Sequence, residues 1–136
     1  MNQSDQSESQ MQLRRVLVIG DEDTVRTALR ASIETFDGFE VETAEDDEIG
    51  LEMIAASRYD AVLVDLMMPV LDGFEVLRQL RELGEYARPG RAILVSGMVD
   101  PSLQGSVREL GGDAILGKPF RLDDLRRVLV DELDSL

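Results

Sequence analysis

Five short runs of β-branched and aliphatic residues recur along the chain, each followed by a segment whose apolar residues repeat at helical spacing. The runs are Arg15–Gly20, Phe39–Thr43, Ala61–Val64, Ala92–Val95 and Ala114–Leu116. Stretches such as VLVI and AVLV are apolar at consecutive positions, which suits strands covered on both faces, as in parallel sheets. Helical faces lie between them: Val25, Leu29, Ile33 and Phe36; Ile49, Met53 and Ile54; Phe74, Leu77 and Leu80; Leu103, Val107 and Leu110. Leu122, Leu125, Val128, Leu129 and Leu133 close the chain. Gly38, Gly84 and Gly111–Gly112 read as helix C-terminal caps. Five alternations with right-handed crossovers predict an α/β fold: a doubly wound, five-stranded parallel sheet with helices on both faces.

The length of 136 residues suits one domain, and 43% apolar content is enough to fill its core. We expect residues 1–12 to form a disordered tail, because MNQSDQSESQMQ has almost nothing to bury, and residues 13–136 to form the domain. The polar start argues against a secretory signal, and no apolar run is long enough to span a bilayer, so a cytoplasmic location is expected. The absence of cysteine and histidine excludes disulfides, zinc held by Cys or His, thiol nucleophiles and Ser-His-Asp triads. A net charge of −14 repels nucleic acid and anionic membranes. Seven acidic residues and no basic one fall between Glu40 and Glu52. They read as a solvated strand end running into a helix N-terminus, with a docking surface for a basic partner as the alternative.

In a doubly wound sheet, ligands bind beyond the carboxyl ends of the strands. The ends here carry Gly20-Asp21-Glu22-Asp23, then Asp65, then Ser96-Gly97, then Gly117-Lys118-Pro119. Singly, each has an ordinary explanation: Asp21 or Asp23 as a helix cap, Asp65 as a turn residue, Ser96 bonding a loop, Lys118 solvated. The parallel topology brings all of them to one edge. Clustered carboxylates call for a cation, and an all-oxygen site open on one side suits hydrated Mg2+. An ammonium and a hydroxyl opposite that metal suit a transferring phosphoryl group, which a carboxylate can accept as an acyl phosphate.

The motifs VLVIGDED, AVLVDLMMPVLDGFEVL, AILVSG and GGDAILGKPF, in this order, make residues 13–136 resemble a response-regulator receiver domain, a flavodoxin-like (βα)5 fold. The resemblance implies Asp65 as phosphoacceptor, with Mg2+ held by Asp21, Asp65 and the backbone carbonyl of Met67, and Glu22 as a further candidate ligand. It implies Ser96 and Lys118 as partners of the phosphoryl group, and a cis Lys118–Pro119 peptide. It further implies a histidine kinase or phosphotransfer protein as donor, and a downstream protein or an effector domain outside this sequence as target. Output is expected through residues 101–136. On this reading the chain is not an enzyme beyond its own phosphorylation and dephosphorylation.

Two positions depart from the family pattern. Gly20 stands where the family has the first of two adjacent acidic residues, which weakens the expected metal site. Ile115 stands where it has Tyr or Phe, so switching by an aromatic ring gives way to steric coupling. Met67 and Met98, flanking the expected approach of water, would slow loss of the phosphoryl group. Two rival readings remain. One is a haloacid-dehalogenase-like phosphatase with Asp21 as nucleophile and Asp23 as acid/base. The other is a degenerate receiver acting as a docking module.

Overall fold

The computed structural model describes residues 13–65, 73–84, 88–97 and 99–131. The expected tail at 1–12, together with Met67, Met98 and Leu133, lies outside the described residues. The five apolar runs are the five strands: β1 (Arg14–Ile19), β2 (Phe39–Ala44), β3 (Ala61–Asp65), β4 (Arg91–Ser96) and β5 (Ala114–Gly117). Between and after them come α1 (Asp23–Ile33), α2 (Asp47–Ala56), α3 (Gly73–Glu82), α4 (Pro101–Glu109) and α5 (Leu122–Arg126). The last continues as a π-helical turn, Arg127–Asp131.

All pairings are parallel, in the order β2-β1-β3-β4-β5. The chain therefore winds outward from β1 to β2, then returns past β1 to build β3, β4 and β5. The crevice above the carboxyl ends of β1 and β3 is the switch point at which such sheets bind ligands.

Alternate strand residues feed two cores, one on each face. Val16, Val18, Leu63, Ile93 and Val95 pack with Leu29 and Ile33 of α1 and Leu125 of α5. Leu17, Ile19, Val62, Val64 and Leu94 pack with Ile54, Leu77, Leu80 and Val107 of α2, α3 and α4. β3 is buried at every residue, which explains why its sequence does not alternate.

Two sequence expectations are corrected. The inward face of α2 runs through Asp47, Gly50 and Ile54, leaving Ile49 40% exposed. The helix lies so close to β1 that a Cβ on Gly50 would stand 2.5 Å from Ile19 Cδ1, so the residue without a side chain takes the inward position. Among the expected glycine caps, Gly111 caps α4 in a left-handed conformation (φ +89°). The Gly112 and Gly111 amides donate to the Val107 and Arg108 carbonyls, at 2.8 and 3.1 Å. Gly38 has the same φ but turns the loop five residues beyond α1, and Gly84 is not left-handed.

Part of the acidic stretch from Glu40 to Glu52 is used within the fold. Glu42 accepts from Arg15 Nη2 at 3.0 Å and from the Tyr59 hydroxyl. Asp46 caps α2 by accepting from the Ile49 amide at 2.8 Å, and Asp47 is buried.

Candidate functional site

Strand register sets the site. Ile19 pairs with Val64, so Gly20, the next residue along, comes level with Asp65. Asp65 pairs with Val95, and Ser96 pairs with Gly117. Asp65 and Ser96 are therefore the last residues of β3 and β4, and Lys118 is the first residue after β5. Three adjacent strands thus end at nearly one level and present a carboxylate, a hydroxyl and an ammonium.

Asp65 and Ser96 are only 2% and 1% exposed, rare burial for such side chains at the edge of a sheet. Lys118 reaches over from the next loop, with Nζ 3.3 Å from Asp65 Oδ1 and 3.4 Å from Oδ2. A buried carboxylate is costly without such a cation. The loop that carries the lysine is anchored: the Lys118 amide donates to the Ser96 carbonyl at 2.7 Å, and the Lys118–Pro119 peptide is cis, as expected. Lys118 is thereby tied to β4 through its backbone and to β3 through its side chain.

The β1–α1 loop forms the opposite wall. Asp21 and Glu22 are both exposed. Glu22 is the N-cap position of α1, but no side chain caps the helix there. Asp23 is the first helical residue and pairs with Arg26. The capping reading of Asp21 and Asp23 therefore does not hold. Glu22 Oε1 stands 4.0 Å from Lys118 Nζ, so this carboxylate approaches the lysine. A Cβ built on Gly20 would lie 3.2 Å from Asp65 Cβ and 3.7 Å from Oδ2, so a side chain at this position would point straight at the buried carboxylate.

Sequence reasoning missed Arg26. Its guanidinium donates through Nη1 to the Gly20 carbonyl at 2.5 Å and through Nη2 to Asp23, with the side chain only 11% exposed. The Asp23/Arg26 spacing of i, i+3 is legible in the sequence. The reach back to Gly20 is not.

Ile115 pairs with Leu94, which places it on the same face of the sheet as Ser96. It is partly buried against the α2–α4 core, an aliphatic side chain on the face of the sheet that carries the hydroxyl residue.

Residues 16–130 match the response regulator receiver domain. The chain belongs to that family. The receiver is 42% identical over 111 residues to response regulator MprA of Mycolicibacterium vanbaalenii, a stretch covering 82% of this chain and 46% of that protein. It is 43% identical over 111 residues, with the same coverage, to response regulator MprA of Mycobacterium ulcerans. The chain thus spans about half the length of the curated relatives it matches.

Among solved structures, the receiver resembles the chemotaxis response regulator CheY4 of Vibrio cholerae, with a TM-score of 0.80 and 26% identity over 89% of this chain and 98% of that one. It also resembles the receiver domain of the Pseudomonas aeruginosa sensor histidine kinase PA1611, which holds a magnesium ion in its active-site cleft. That match has a TM-score of 0.78 and 26% identity over 90% of this chain and 98% of the other. The protein is a receiver of two-component signal transduction, with the five-stranded flavodoxin-like fold of that family. Membership overturns the phosphatase reading, in which Asp21 was the nucleophile and Asp65 had no role. Among the described residues, no helix is long and apolar enough to cross a membrane.

Proposed function

We propose that Asp65 of this receiver accepts a phosphoryl group from the phosphohistidine of a partner kinase or phosphotransfer protein. The observation that carries this reading is the Lys118 ammonium held 3.3 and 3.4 Å from both oxygens of a carboxylate that is otherwise buried. A carboxylate placed this way is fixed in orientation, and it has a cation ready for the oxygens it will carry. In the transfer, an Asp65 oxygen attacks phosphorus, the P–N bond to the donor imidazole breaks, and the leaving imidazole takes up a proton. Lys118 then turns from the carboxylate to the phosphoryl oxygens, and the Ser96 hydroxyl donates to another of them.

The donor set fits a hard divalent cation. Asp65 and Asp21 bring carboxylates from adjacent strand ends, and the Met67 carbonyl would complete the protein ligands with water in the remaining positions. Among the described residues, no group of three acidic side chains gathers as a metal cage. When bound, Mg2+ would neutralise the charge on the phosphoryl oxygens. Glu22, drawn towards Lys118, serves as a second carboxylate for the lysine rather than as a metal ligand.

The receiver spans residues 13–136 on this reading and acts in the cytoplasm, where kinase and phosphodonor meet it. Its net charge of −14 disfavours direct contact with nucleic acid, so the signal leaves through protein contacts or through an effector domain outside this sequence. Incubation with acetyl phosphate and magnesium, followed by a phosphate-affinity gel, tests the assignment. A shifted band that Asp65→Asn abolishes and Asp23→Asn preserves is expected. A band surviving in Asp65→Asn would overturn it, and no band in the unmodified protein would leave the docking module as the better account.

A further inference from the structure

We infer that Arg26 is a positioning residue of the magnesium site, holding the β1–α1 loop in the conformation that presents Asp21 and offsetting the loss of side-chain constraint at Gly20. The inference rests on the proposed metal role of Asp21.

Gly20 is the hinge of this wall. Without a Cβ, its backbone has more conformations open to it than any other residue, and the Gly20–Asp21 peptide is the one whose rotation would swing Asp21 away from Asp65. On one side the Gly20 amide is fixed by donating to the Ala44 carbonyl at 3.1 Å. On the other, the Gly20 carbonyl accepts from Arg26 Nη1 at 2.5 Å. The same guanidinium pairs with Asp23. Arg26 therefore bridges the two ends of the Gly20–Asp23 segment, and Asp21 and Glu22 lie between its two anchor points.

The position of Arg26 argues that it is more than a surface arginine. It lies near the N-terminus of α1, where the helix dipole disfavours a cation. Its side chain turns back along the helix towards the loop, as helical side chains do, and is only 11% exposed. A guanidinium supplies two donors in a rigid fork, which one ammonium cannot match. With Nη1 on the Gly20 carbonyl, that oxygen is engaged by the guanidinium, and Asp21, exposed between the two anchor points, is the group this loop offers to a cation.

Groups that orient metal ligands usually affect affinity rather than the chemistry at full occupancy. Magnesium titration by calorimetry, on proteins whose folding is checked by circular dichroism, provides the test. Arg26→Gln should weaken magnesium binding by about ten-fold or more. Arg26→Lys, which keeps the charge but reaches one acceptor, should fall between it and the unmodified protein. Phosphorylation by acetyl phosphate should slow in Arg26→Gln at limiting magnesium and return to the unmodified rate at saturation. A folded Arg26→Gln with unchanged affinity, or a rate that stays low at saturating magnesium, would overturn the positioning role. Asp21→Asn separates the two levels of the argument. If it binds magnesium as well as the unmodified protein does, the metal reading of Asp21 fails, whatever Arg26 does.

Discussion

A Cβ on Gly20 would stand 3.2 Å from Asp65 Cβ, so the position that lacks a side chain faces the buried carboxylate across the β1–β3 switch point. That contact is tight, but the opposing atom belongs to a side chain and a shift of a few tenths of an ångström relieves it. Gly20→Asp would add a third carboxylate beside Asp65 and Asp21. Magnesium affinity should rise, because charge added next to the ion in a partly desolvated crevice is felt strongly. Without metal, the added repulsion should lower stability by about 1 kcal/mol. Calorimetric titration and thermal melts with and without magnesium check both parts. Equal affinities in the two proteins would count against the account of Gly20.

The Lys118–Asp65 pair should be strongly coupled. Removing the ammonium leaves a charge at a residue only 2% exposed, so Lys118→Gln should cost about 1–3 kcal/mol in urea unfolding without metal. Solvent screening at the lysine, whose side chain is 23% exposed, keeps the cost modest. In an Asp65→Asn background the same substitution should cost little, since no buried charge remains to be compensated. A double-mutant cycle with no coupling energy would show that the lysine does not stabilise the carboxylate.

How far this could be read from the sequence follows from what each feature depends on. The strands were legible because a sheet covered on both faces requires consecutive apolar residues, and VLVI and AVLV have few other uses. Asp65 and Ser96 were legible because each follows such a run directly, and Lys118 because only Gly117 separates it from the last run; parallel register does the rest. The reach of Arg26 to Gly20 was hidden because that partner is a backbone carbonyl, which leaves no mark on residue identity. Ile49 misled because its hydrophobicity fits an inward face, whereas the close approach of α2 to β1 gives that place to Gly50.

Gly111 and Gly84 provide a paired test of the α4 cap. Gly111 has φ +89°, and a Cβ there would also meet Arg88 Nη2 at 3.1 Å. Gly111→Ala should therefore cost about 1–2 kcal/mol, the penalty for a side chain in the left-handed region. Among the described residues, a Cβ on Gly84 would meet nothing within 4 Å, and its φ is not positive. Gly84→Ala should change stability by no more than about 0.5 kcal/mol. Urea midpoints of the two variants check the contrast, and equal effects would mean that the left-handed turn does not stabilise the C-terminus of α4.

Tyr59 should make the fold sensitive to alkali. Its hydroxyl donates to Glu42, and the Arg15 guanidinium lies 4.7 Å above its ring. Burial, followed by the hydrogen bond to Glu42 and that residue's negative charge, pushes the phenol up to about 12, with Arg15 opposing. The folded state thus holds its proton to higher pH than the unfolded chain, whose phenol titrates near its ordinary value of 10.0. Below that value both states are protonated, and the contribution is fully present. Between pH 10 and 12 the unfolded state loses its proton first, so stability falls with rising pH, by roughly 2–3 kcal/mol over the whole window. Tyr59→Phe removes the titrating group while keeping the ring under Arg15. Its melting temperature should be lower than that of the unmodified protein at pH 9, and the gap should close as pH rises towards 12. A constant gap across that range would mean that the phenol does not titrate differently in the folded and unfolded states.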